Sequence, residues 1–408
     1  MEAKNKFLTH DSVVRVHKPK NQLFFIHPRQ SNEFLWLSPN AFTLLELLAI
    51  FATVTIPIAI LRSKLISKNT RYAAWAGLVV AEAVFLLSIQ DQVNPAAAGT
   101  ESLFISSLSP IRIRLAFLFL CLDSTIALGF HSLHHLTTCI RNLRWERVLH
   151  YTGLCCVGIW LSAPSTYSIV TVLAAVLTVT LAWGAAVVGN DLVDLNIDRV
   201  SNPDRPLVTG AWNRRNYGRF GLVMLALAVT GAWSVGQTFA FCILTWLTVA
   251  FLYSNPPFRL RRFLGISSAL VGLASLITII AGFICLGNRH IFDFPPNLAW
   301  FIFLGLTCGA NLKDVKDFEG DRRDRVHTIV TTLGLRKGQF AVGVLVSVAM
   351  LSAPLLLGKP VLWLPAMLWA SLAFFVSTRR RFREKVLFLI YYSYVAFLIA
   401  SGALQPVP

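Results

Sequence analysis

Two stretches of this chain crowd carboxylates at helical spacing. The first runs Asn190-Asp191-Leu192-Val193-Asp194-Leu195-Asn196-Ile197-Asp198-Arg199. On a continuing helix Asp191, Asp194 and Asp198 fall at i, i+3 and i+7 on one face, which Asn190 shares by its i, i+4 relation to Asp194. The second runs Asp314-Val315-Lys316-Asp317-Phe318-Glu319-Gly320-Asp321-Arg322. Asp314, Asp317 and Asp321 repeat the same geometry. Three stacked carboxylates repel one another near lipid and need a counter-charge. A hard divalent cation supplies it, and Mg²⁺ takes a few carboxylates while keeping positions for water and phosphate oxygens. Two such faces opposed across a cavity would clamp a diphosphate and stabilise its charge as a C–O bond breaks. Asn190, Arg199, Arg205, Lys316 and Arg322 stand beside the acids and suit the remaining phosphate oxygens. Capped helices with i, i+4 ion pairs would explain one triplet. Two matched triplets, each where an apolar run ends, favour a functional site.

The elements that must carry these triplets are apolar. Of the 408 residues, 55% are hydrophobic and 14% charged, with a mean hydropathy of +0.61. Soluble domains are about 45–50% apolar and about 25% charged. The excess is gathered in runs such as 41–61, 116–136, 168–188 and 264–286. A bilayer core takes ~20 apolar residues in a helix, so runs of this length span it. We read twelve spans, at 41–61, 72–90, 113–137, 147–163, 167–189, 217–234, 236–254, 264–286, 297–311, 340–357, 360–377 and 386–404. All are helices, because lipid tolerates no unpaired backbone. The expected fold is all-α, a polytopic membrane helical bundle. The charged stretches 190–216 and 312–339 are its two long loops and resemble each other as a weak internal repeat.

The net charge of +17 is explained by topology. Alternate loops beginning with 62–71 hold 27 of the 37 Lys and Arg residues, and the opposite loops hold almost none. That bias places the aspartate stretches on the cytoplasmic face and the N-terminus on the other, and no nucleic-acid partner is needed. No secretory signal is visible in the first forty residues. Seven scattered cysteines without a CxxC pair read as buried free thiols. His131, His134 and His135 have a spacing that can ligate a metal, but without Asp or Cys nearby they read as histidines at a helix end.

These motifs resemble the UbiA superfamily of intramembrane prenyltransferases. The family's N-D-x-x-D-x-x-x-D motif matches Asn190, Asp191, Asp194 and Asp198, followed by Asn202-Pro203-Asp204-Arg205-Pro206. Its second motif matches Asp314, Asp317, Glu319, Gly320, Asp321 and Arg322. Between them, Tyr253-Ser254-Asn255-Pro256-Pro257-Phe258-Arg259-Leu260-Arg261-Arg262 is similar to a segment of members acting on homogentisate or chlorophyllide. The resemblance covers about 140–408 and implies a nine-helix core, with 1–139 an extension of about three further membrane spans. It implies that Asp191, Asp194, Asp198, Asp314, Asp317 and Asp321 bind two Mg²⁺ ions and an isoprenoid diphosphate, and that the tail lies in a lipid-facing tunnel. Ionisation would give an allylic cation, faced by the Tyr253 ring and captured by an acceptor. Arg259, Arg261 and Arg262 read as topology determinants.

The leading expectation is prenyl transfer to an aromatic, quinone-precursor or lipid acceptor. A membrane terpene cyclase would use the same ionising aspartates and quench the cation internally. A transporter or scaffold would place its carboxylates nearer the bilayer midplane.

Overall fold

The computed structural model describes residues 110–408 apart from 165, 166, 324, 381, 406 and 408, together with 76, 77, 79, 80 and 82. The expected span 41–61, and all of 72–90 except those five positions, lie outside the described residues. Every regular element described is a helix. The α-helices of five or more residues are, in chain order, α1 (Pro110–His131), α2 (Leu133–Asn142), α3 (Trp145–Leu161), α4 (Ile169–Val193), α5 (Leu195–Ser201), α6 (Arg214–Val235) and α7 (Gln237–Ser254). There follow α8 (Ile266–Ile284), α9 (Pro296–Ala310), α10 (Leu312–Arg323), α11 (Ile329–Leu333), α12 (Leu335–Leu351), α13 (Trp363–Ser377) and α14 (Glu384–Ala400). Nine of them, α3, α4, α6, α7, α8, α9, α12, α13 and α14, correspond to the nine spans expected after residue 140.

Among the described residues, seven segments are long and apolar enough to cross a membrane, α1 among them, and α9 with α10 forms an eighth bent by 40°. The expected third span stops early. Ser132 is extended (φ −162°, ψ 108°) and its side chain accepts from the His135 amide, starting α2. His131 is thereby separated from His134 and His135, so the three do not share a helical face. The two charged stretches expected as loops are largely helical, forming α5, α10 and α11.

Without a hydrophobic drive between helices in lipid, close packing depends on small residues. Gly158 on α3 and Gly282 on α8 face each other across such a contact. A methyl group on either would overlap a backbone carbonyl of the other helix, Ile279 O or Cys155 O. Gly320 does the same between α10 and α5. It brings the second acidic helix directly onto the first, against Ser201 and Ile197.

On the face away from the acids, the few cations cap helix ends. Arg114 of α1 donates to Ser234 O (3.3 Å), Val235 O (3.1 Å) and Thr171 Oγ1 (2.7 Å). Arg289 donates to Ser162 O at 3.0 Å, and Lys359 to Gly402 O. Positive charge at a helix C-terminus meets the negative end of its dipole. All seven cysteines are free.

Candidate active site

The first triplet does not form one face. Backbone hydrogen bonds run on through it, Asp194 N to Asn190 O and Asp198 N to Asp194 O, both at 2.9 Å. Asp194 itself leaves helical geometry (φ −95°, ψ 16°) and turns α5 away from α4. Asp191 therefore lies behind the site. Its carboxylate accepts from Arg144 (2.6 Å), Asn142 (2.8 Å), Tyr217 (3.0 Å) and Arg205 (3.1 Å). Asp194 accepts from Arg259 at 3.1 Å and from Arg261. Asp198 accepts from Asn202 at 3.1 Å and has Arg205 Nε at 4.0 Å, while its buried Oδ2 has no partner. Asn190 Oδ1 accepts from Ser254 at 2.8 Å, which ties α4 to α7.

Two of these arginines are held in unusual backbone geometry. Arg144 (φ 56°) and Arg259 (φ 45°) occupy the left-handed region, at a cost of order 1–3 kcal/mol each. Their ion pairs with Asp191 and Asp194 offset that strain and fix the loops that precede α3 and follow α7. Arg259 and Arg261 thus do more than set topology, and the sequence reading of them is corrected here. A basic pair directly after a Pro-Pro turn lands on an acid of another helix only because α7 packs beside α4.

The second triplet is one continuous helical face on α10, as expected. Asp314 and Asp321 are buried and Asp317 half-buried. Among the described residues none of the three has an ion-pair partner within 4.0 Å. The arginines gather on the first triplet and leave the second without a direct ion pair among the described residues. Lys313 instead donates to Tyr253 Oη, with its ammonium 4.6 Å from the centre of that ring. A cation therefore already stands at the hydroxyl edge of the ring expected to meet an allylic cation. Lys316 stands 3.8 Å from Glu384, which Arg147 also holds at 3.1 Å.

Two acids of the first triplet and all three of the second open on one cavity of about 190 Å³. Of the expected residues, Asn190, Asp194, Asp198, Arg205, Tyr253, Asp314, Lys316, Asp317 and Asp321 line it. Asp191 does not, and neither do Arg199 and Arg322, which are exposed. Helical rotation past Asp194 and past Asp321 carries those two arginines to the outside. The cavity also takes in Arg144, Arg147, Arg261 and Lys313, and a trio of aromatic rings. Tyr151 lies 5.2 Å from Trp183 and 5.3 Å from Trp246, between ring centres. Trp183 precedes Asn190 by two turns on α4, and Trp246 precedes Tyr253 by two turns on α7. That spacing was a usable signal in the sequence.

A second, apolar cavity of about 220 Å³ adjoins the first. Arg147, Tyr151, Val271 and Lys313 line both. From there it follows α3 to Leu161 and α14 to Leu398, with Leu404 just beyond the helix end. Fourteen residues of α3 at ~1.5 Å each make this ~21 Å deep.

Burial pushes the Asp198 carboxyl up to about 6, with Arg205 opposing and Asp191 adding to the rise. Burial also raises Asp194 despite Arg261 and Arg259. Among the described residues no three acidic, histidine or cysteine side chains converge on one point as a metal cage. The donor set nonetheless fits Mg²⁺, which needs only one or two carboxylates beside water and phosphate. An unpartnered Asp198 oxygen and an unpaired Asp triplet supply them.

Fold and site define an integral membrane helical bundle in which an acidic cavity opens into an apolar one. The chain belongs to the UbiA prenyltransferase family, whose sequence model matches residues 152–399. It is 31% identical over 175 residues to a homogentisate phytyltransferase of Synechocystis, covering 38% of this chain and 54% of that one. It is 32% identical over 192 residues to a digeranylgeranylglyceryl phosphate synthase of Methanoregula boonei, covering 45% and 64%. The chain thus spans somewhat over half the length of these relatives. A UbiA homologue from Archaeoglobus fulgidus, solved bound to GPP and Mg²⁺, shares the fold. Its TM-score is 0.55 at 18% identity, over 65% of this chain and 98% of that one.

Proposed function

We propose that this protein transfers a prenyl group from an isoprenoid diphosphate to a hydrophobic aromatic, quinone-precursor or lipid acceptor, with Mg²⁺ as its cofactor. One observation carries the reading: the acidic and apolar cavities share a wall, so a charged head and a long apolar tail fit at once. Asp198, Asp314, Asp317 and Asp321 would hold the metal, with Asp194 at their edge. The bound ion would neutralise the diphosphate as it leaves. Arg144, Arg147, Arg205, Arg261, Lys313 and Lys316 surround the same space and suit the phosphate oxygens. Asp191 serves instead to hold Arg144 and Arg205 in place. Cleavage of the C1–O bond sends its electron pair out with the diphosphate and leaves an allylic cation. The faces of Tyr151, Trp183 and Trp246 are the aromatic surface available to stabilise it. We further assign the acidic face to the cytoplasm from the Lys and Arg bias. Residues 140–408 are the catalytic unit in this reading, with 1–139 an extension whose α1 packs on α4 and α6.

The test is diphosphate release from geranylgeranyl diphosphate by the protein in nanodiscs, with and without Mg²⁺ and a panel of acceptors. Release that requires both supports transfer. Release with Mg²⁺ alone, giving a cyclised hydrocarbon, would favour the cyclase. No release with any chain length would refute the enzyme reading.

A further inference from the structure

The apolar cavity contains one polar device that diphosphate and tail binding do not use. His150 lies one turn along α3 from Arg147 and opens onto this cavity, beside Tyr151, which lines both. Its Nε2 stands 3.0 Å from Ser275 Oγ of α8. That hydroxyl donates to Val271 O at 2.9 Å. Serine has a single proton to give. When that proton goes to Val271 O, as its 2.9 Å contact allows, Ser275 meets the imidazole as an acceptor and His150 carries its proton on Nε2. The lone pair is then on Nδ1. Among the described residues no side chain or amide hydrogen-bonds Nδ1. Around the ring stand Tyr151, edge-on with centres 4.9 Å apart, and Tyr391 of α14 at 5.6 Å.

This places an oriented, neutral imidazole among aromatic rings, ~5 Å along the helix from the wall where head and tail must meet. Prenylation of a hydroxyl-bearing acceptor releases one proton, and an apolar cavity offers it few destinations. We propose that His150 Nδ1 binds the acceptor's hydroxyl and takes its proton as the new bond forms. The inference rests on the transferase reading above. The C1–O bond of the diphosphate breaks and its pair leaves with the diphosphate. The acceptor supplies the pair for the new bond to C1, from its oxygen if it is an alcohol or from a ring carbon if it is a phenol. In both cases the O–H proton passes to Nδ1; attack from a ring carbon leaves a dienone, which regains its aromatic ring when the C–H proton of the attacked carbon moves to the oxygen. Ser275 is a positioning residue that fixes the tautomer.

The experiment compares wild type with His150→Gln, which keeps an amide donor for Ser275 but has no basic nitrogen, and with His150→Ala. Each is assayed with a phenolic acceptor, its methyl ether, and a glycerol-based lipid alcohol. The wild type is expected to transfer to one hydroxylated acceptor, which names its source, and to reject the ether. His150→Gln should lose ~10²–10⁴-fold in kcat with that acceptor, the usual contribution of a general base. Its KM for the isoprenoid diphosphate should hold, and its preference for phenol over ether should shrink. Imidazole added to His150→Ala should restore part of the rate, a result that a packing role would not give. His150→Gln with a wild-type rate and preference overturns the proposal, as does a loss of diphosphate binding in both variants without imidazole rescue. Wild-type protein that releases no diphosphate at all overturns the transferase reading, and this proposal falls with it.

Discussion

Replacing Gly320 with alanine adds one methyl group where α10 meets α5. That methyl would overlap Ser201 Oγ and stand 3.0 Å from Ile197 Cγ2. The Ser201 hydroxyl is buried without a hydrogen-bond partner and can rotate away. Ile197 is buried and β-branched, with one stiff rotamer, and cannot. Ordinary contact begins near 3.4 Å, so α10 must retreat by some tenths of an ångström. Overpacking of this kind costs ~1–3 kcal/mol. The larger consequence is for the site, because α10 carries Asp314, Asp317 and Asp321 toward Asp198 on α5. Misplacing catalytic groups by ~1 Å costs ~10²-fold in rate. Gly320→Ala is therefore expected to lower Mg²⁺-dependent diphosphate release ~10–100-fold while the protein remains folded and inserted. Ser201→Ala should be close to neutral alone and should leave the loss in place, because the hydroxyl can already rotate away, whereas Ile197→Ala, which removes the rigid Cγ2, should recover part of it in the double variant. Wild-type turnover in Gly320→Ala would refute the packing account. A loss that Ile197→Ala leaves untouched would place the damage elsewhere.

Four further outcomes are expected. Asp321→Asn and Asp198→Asn should abolish turnover with little change in thermal stability. Asp191→Ala should destabilise by ~3–5 kcal/mol, measured by thermal unfolding in detergent, because Arg144 and Arg205 lose a buried partner. Asp198, raised to about 6 by burial, links metal binding to pH. In metal-free protein its raised value means stability falls as pH rises from the unfolded carboxylate range through about 6. Mg²⁺ competes with that proton, so Mg²⁺-induced thermal stabilisation should grow over the same window and vanish below it. Last, a Cβ added at Gly305 or Gly309 would meet no atom within 4 Å, and both positions line the apolar cavity. Gly305→Trp should fold normally and shift preference from longer to shorter isoprenoid diphosphates in competition assays.

The membrane bundle was legible because its cause is local: a run of ~20 apolar residues is helical in lipid whatever its neighbours do. Both acidic stretches, the nine-helix count after residue 140 and the aspartates at the ends of spans were also set by composition and spacing. The division of labour among those aspartates was not. Helical spacing put Asp191, Asp194 and Asp198 on one face, but a single non-helical residue at Asp194 turned Asp191 to the wall and Asp198 to the cavity. Which arginine meets which acid depended on helix packing. Arg261 reaches Asp194 from α7's following loop, while Arg199 and Arg322, adjacent in sequence to acids of the site, point outward. Tyr253 was visible as an aromatic residue near the acids, yet only the tertiary structure placed Lys313 at its hydroxyl and gathered Tyr151, Trp183 and Trp246 from three helices. Sequence fixes what each segment is by its own interactions with lipid and its own backbone. The partners of a charged side chain are set by contacts between segments far apart in the chain, and those exist only once the bundle has packed.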